Sequence, residues 1–63
     1  MITVDSKVKI TALPESLINT PRLIGKRGVV KEVDSYFKRY TMFSVDLGKE
    51  GVFVFGQNHI QKV

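Results

Sequence analysis

Polar and apolar residues alternate at every second position along much of this chain, and a period of two belongs to strands rather than helices. In Lys7-Val8-Lys9-Ile10-Thr11 the alternation puts Val8 and Ile10 on one face of a first strand. Val29-Val30-Lys31-Glu32-Val33 reads as a second. Val30 and Val33 lie an odd number of positions apart, so bringing both to the core face requires a bulge near Lys31-Glu32. A third strand over Thr41 to Leu47 faces Phe43, Val45 and Leu47 inward, and Gly48-Lys49-Glu50-Gly51 is a tight hairpin turn. Val52-Phe53-Val54-Phe55 follows as a fourth strand ending at Gly56, with one or both phenylalanines in the core. Gln57-Asn58-His59 reads as a single 3-10 turn that delivers Ile60 and Val63 to the core on a short fifth strand.

Between the first and second strands, Ala12 to Ile24 holds both prolines, Pro14 and Pro21, which excludes a central strand. This is a long loop, with one helical turn starting at Pro14 and with Leu13, Leu17 or Leu23 covering one end of the core. Gly25-Lys26-Arg27-Gly28 then offers two turn glycines able to take positive φ. Asp34 to Tyr40 reads as the connection into the third strand. With 63 residues there is room for one core, so residues 1–63 are read as one domain. The expected fold is all-β, a small five-stranded barrel with a long first loop and a short 3-10 turn before the last strand. Closure would remove the edges a flat sheet exposes.

The chain has no cysteine, so no disulfide or thiolate metal site supports this core. No run of about 20 apolar residues suggests a membrane span, and the N-terminus has no secretory pattern, so a cytoplasmic location is expected. One histidine, His59, and scattered carboxylates supply neither a hydrolytic triad nor a metal cluster. A non-enzymatic chain without cofactors is the expectation, with His59 a solvent-facing turn residue.

The net charge of +4 is confined to the middle of the sequence. Residues 22 to 39 carry Arg22, Lys26, Arg27, Lys31, Lys38 and Arg39 against Glu32 and Asp34, whereas four lysines and four carboxylates cancel elsewhere. Within that window, Tyr36-Phe37-Lys38-Arg39-Tyr40 packs three aromatic residues and two cations into five positions. Bases stack on aromatic faces and phosphates pair with Lys and Arg, which suits RNA or single-stranded DNA. Tyr and Arg also favour protein interfaces. The candidate binding residues are therefore Lys26, Arg27, Lys31, Tyr36, Phe37, Lys38, Arg39 and Tyr40.

The order of Val8-Lys9-Ile10, a loop, Gly25 to Val33 and the strand from Phe43 to Leu47 resembles the KOW motif found in SH3-like barrels of ribosomal proteins and transcription elongation factors. Gly28 stands where that family has a glycine ending the turn between two strands. The resemblance implies an SH3-like barrel that binds nucleic acid or a protein of the transcription or translation machinery. The long first loop, and Phe55, Ile60 and Val63 at the end, look like small accessory chains such as the variable chain of ferredoxin–thioredoxin reductase. That likeness implies an accessory or inhibitory subunit docking on a larger protein complex. Either way the chain is expected as a monomer or weak dimer.

Overall fold

The structure, a computed structural model, describes residues 2–37 and 40–63, and within these the side chains of all but residues 35–37 and 40. It is all-β. The strands are β1 (Lys7–Ile10), β2 (Arg27–Phe37), β3 (Tyr40–Asp46), β4 (Val52–Gly56) and β5 (Ile60–Lys62). They form one antiparallel sheet in the order β4-β3-β2-β1-β5. Short 3-10 turns at Glu15–Leu17, Pro21–Leu23, Gly48–Glu50 and Gln57–His59 punctuate the connections.

The pleat sorts the side chains as the alternation requires. Val8, Ile10, Val30, Phe43, Val45, Leu47, Phe55 and Ile60 are buried, and Ile2, Leu13, Leu17, Val33 and Phe53 pack against them. Burying one such aliphatic or aromatic side chain stabilises the fold by about 1.5–3 kcal/mol relative to leaving it in water. The bulge is present as well: the β2–β3 register slips between Val30 and Glu32, letting β2 bend over the core. The long loop closes one end through Leu23, which is fully buried in the second of its two turns. Pro21 starts that turn where a missing N–H costs nothing.

Four expectations are corrected. The sheet is not closed: β4 and β5 are its two edges, separated by the turn Gln57–His59. Val63 is 60% exposed instead of buried, because it lies three positions after Ile60 and a period of two sends them to opposite faces. β2 runs on to Phe37, so residues 34–37 belong to a strand, as their share of aromatics favours, and Phe37 pairs with Tyr40.

The fourth concerns Gly28, which is a strand residue and not a turn residue. It lies opposite Val8 in the β1–β2 ladder, on the core face. A Cβ at this position would sit 2.5 Å from the Asp46 carbonyl oxygen, 2.6 Å from Leu47 Cδ2 and 2.7 Å from Val45 Cγ1. The glycine is needed because the end of β3 crosses β2 here in near contact. Gly25, with φ of 86°, is the residue that makes the turn.

Candidate functional site

The outer face of β1 and the start of β2 gathers cations. In β1, Lys7 and Lys9 are exposed and alternate with the buried Val8 and Ile10. In the ladder Lys7 stands opposite Val29, and Lys9 opposite Arg27, which is also exposed. Lys26 precedes Arg27 and is exposed, and Lys31 is exposed at the bulge. Two cations directly opposed across an antiparallel pair repel each other at a Cβ separation of roughly 5 Å. Among the described residues the only ion pair joins Arg22 Nε to Glu50 Oε2 at 2.9 Å, so no carboxylate neutralises Lys9, Arg27, Lys26 or Lys31 within ion-pair distance. Solvent screens this repulsion, so its cost to the fold is small, and an anion laid between the two side chains would meet both charges.

Two shallow depressions flank Val29. One, of about 210 Å³, is lined by Lys7, Arg27, Gly28, Val29 and Val63. The other, of about 330 Å³, is lined by Arg27, Gly28, Val29, Lys31, Asp46, Leu47 and Gly48. Arg27 therefore stands on the ridge between two hollows with valine floors and cationic rims. The carboxylate that intrudes is that of Asp46, whose Oδ1 accepts a hydrogen bond from the Gly48 N–H at 2.8 Å and is thereby held to the turn.

Of the residues singled out by sequence, Arg27 and Lys31 line one depression on this face, whereas Lys26, though exposed, stands opposite the buried Ile10 and so on the other side of the pleat. The aromatic group does not join them. Tyr36, Phe37 and Tyr40 stand at the far end of the β2–β3 hairpin, beyond the bulge that bends β2, whereas Arg27 opens β2. The side chains of Tyr36, Phe37 and Tyr40, and the whole of Lys38 and Arg39, lie outside the described residues. The sequence reading missed Lys7, Lys9 and Val29. Their signal was there in part, since the alternation that buries Val8 and Ile10 turns both lysines outward. What a charge count along the chain conceals is that β1 pairs with the start of β2.

His59 differs from expectation too. It is half-buried, and its Nδ1 accepts a hydrogen bond from the Gly56 N–H at 3.1 Å, fastening the end of β4 to the following turn. That contact requires an imidazole with Nδ1 unprotonated.

Fold and site together define a small antiparallel β domain with a cationic outer face at one side of its sheet and no helix, among the described residues, long and apolar enough to cross a membrane. Comparison with protein-family models, with curated proteins and with solved structures finds no match.

Proposed function

We propose that this domain is a non-catalytic binding module of the SH3-like barrel kind that holds single-stranded nucleic acid, RNA or DNA, against its β1–β2 face. The observation that carries this reading is the unneutralised Lys9–Arg27 pair with Lys7 and Lys31 around it. A phosphate chain laid along these side chains would release counterions and remove the repulsion between them. In sequence, Tyr36 to Tyr40 adds three aromatic residues and two further cations, the residue types that bind bases and phosphates. The strand order, a four-strand meander whose fifth strand returns beside β1, supports the barrel kinship.

Fluorescence anisotropy with labelled RNA and single-stranded DNA, from low to moderate salt, tests this. The logarithm of affinity should fall with the logarithm of salt at a slope of about −0.7 for each phosphate neutralised. Lys9→Glu with Arg27→Glu should weaken binding at least about tenfold. Binding that ignores salt, or that survives this double charge reversal, overturns the reading.

A second reading rests on a separate observation. Ile18, at 66%, and Ile24, at 48%, leave large apolar side chains exposed on the long first loop. An accessory subunit docking by that loop would use them as anchors. Replacing both with Asp would then abolish capture by the partner complex and leave nucleic-acid affinity unchanged.

A further inference from the structure

β4 is an edge strand with an unusual lack of protection. Edge strands are commonly blunted by charge, proline or a covering element, yet residues 51 to 61 contain no Lys, Arg, Asp or Glu and no proline. Val52 and Val54 are 59% and 48% exposed. Two hydrogen bonds reveal which backbone groups of β4 turn outward. The Gly51 carbonyl accepts from the Leu47 N–H, so residue 51 points toward β3. The Gly56 N–H donates to His59, so residue 56 points away. Groups alternate along an antiparallel ladder, so Phe53 and Phe55 bond to β3 while Val52 and Val54 present N–H and C=O to the open side. Among the described residues the backbone hydrogen bonds outside the strand ladders reach none of those four groups.

We infer that β4 pairs with β4 of a second copy of this chain, antiparallel, about a twofold axis at Phe53. In that register Val52 of one copy faces Val54 of the other, and each pair exchanges two N–H to O=C bonds. All four outward groups are then satisfied. Phe53 meets its own counterpart as a non-hydrogen-bonded pair, the closer of the two pair types, with both rings on the core side. The four valines form one apolar strip on the outer face.

Charge selects this occupant. An uncharged edge offers no ion pair to a charged foreign strand, and the same strand turned through a twofold matches it group for group. Net repulsion between two +4 chains does not oppose the pairing. In the joined sheet β2, which carries Arg27 and Lys31, and its counterpart lie five strand spacings apart, about 24 Å along the sheet. That is several times the Debye length of about 8 Å at physiological salt. The alternative of joining β4 to β5 of a neighbour would set three residues including Lys62 against β4 and would not close into a dimer.

Sedimentation equilibrium of the full chain from about 10 µM to about 1 mM should show a monomer–dimer equilibrium that changes little with salt. Hydrogen exchange should show Val52 and Val54 amides slowing as concentration rises, while amides already bonded to β3 keep their rates. Val54→Pro removes an outward N–H without touching the β3 ladder, and Val54→Lys puts like charges near the axis. Each should raise the dimer dissociation constant at least about tenfold with the far-UV spectrum unchanged. If Val54→Pro disturbs the strand, Val54→Lys and the wild-type exchange data still decide. A chain that stays monomeric to about 1 mM leaves this edge to a foreign strand and overturns the inference. So does a dimer whose Val52 and Val54 amides exchange at concentration-independent rates, since it would be joined elsewhere.

Discussion

On the inner side of the sheet, β1 and β2 supply Val8, Ile10 and Val30, β3 and β4 supply Phe43, Val45 and Phe55, and the two sets meet in one core. On the outer side the same strands diverge. The β1–β2 half presents Lys7, Lys9 and Arg27, whereas β4 presents Val52 and Val54. Folding demands the inner pattern from both halves alike, because apolar burial is the main favourable term for so small a chain. It makes no such demand on the outer face. The two halves consequently differ there, with charge on one side and a bare hydrogen-bonding edge on the other, and the proposed contacts use that difference.

The largest test sets Phe55 beside Val54, neighbours in sequence on opposite faces. Phe55→Ala should cost about 3–5 kcal/mol, enough to unfold most of a domain this small. Val54→Ala, at a concentration where the chain is monomeric, should cost under about 1 kcal/mol. Urea unfolding of the two variants measures the gap. Equal costs would mean that the β4 pleat does not separate an inside from an outside.

Gly28 gives the next largest effect, because on the inner side the two halves of the sheet touch there. Gly28→Ala drives a methyl group into the Asp46 carbonyl, and a backbone oxygen cannot rotate away. The expected cost is about 1–3 kcal/mol. Gly25→Ala, where nothing lies within 4 Å, strains only φ and should cost about 1 kcal/mol. A harmless Gly28→Ala would show that the crossing of β2 and β3 is looser than described.

Gly28 also marks how far the sequence could be read. The alternation at Lys7 to Ile10 and at Phe43 to Leu47, the bulge after Val30 and the 3-10 turn at Gln57 are local patterns, and a local pattern is legible from neighbours in the chain. The glycine's role depends on Asp46, and the repulsion at Lys9 depends on Arg27, both contacts between residues distant in sequence. Parity explains Val63, since its odd spacing from Ile60 sends it to the opposite face, whereas the same odd spacing from Val30 to Val33 is absorbed by the bulge. The open edge at β4 was obscured by the expectation that five strands would close. Which strand meets which is settled by packing, and packing is not written in any one window of sequence.

On the outer face the two halves should respond in opposite senses to charge. Lys9→Glu turns a repelling cross-strand pair with Arg27 into an attracting one and should raise stability by about 0.2–1 kcal/mol at low salt. The same change should weaken nucleic-acid binding and make the salt slope shallower by about 0.7 if one phosphate contact is lost. Stability and binding then move apart, which is the signature of a pair kept for its ligand and not for the fold. A loss of both would place Lys9 among the residues that hold the sheet together.

The smallest effect belongs to the Arg22–Glu50 pair, and its smallness is informative. Arg22 Nε donates to Glu50 Oε2 at 2.9 Å, joining the long loop to the turn before β4. The arginine side chain is 65% exposed, so solvent screens the attraction and each long side chain loses rotamer freedom in making it. A double-mutant cycle on Arg22→Ala and Glu50→Ala should give a coupling below about 1 kcal/mol. This is a surface opposite-charge contact made at nearly ideal distance, and it is expected to contribute little to folding. If pairing a surface charge contributes so little here, then leaving Lys9 and Arg27 unpaired costs the fold equally little, and a basic face can persist wherever an anionic partner gives it a use. A coupling well above that bound would reverse the argument, because the unneutralised cations would then be a substantial strain that only a bound anion could offset.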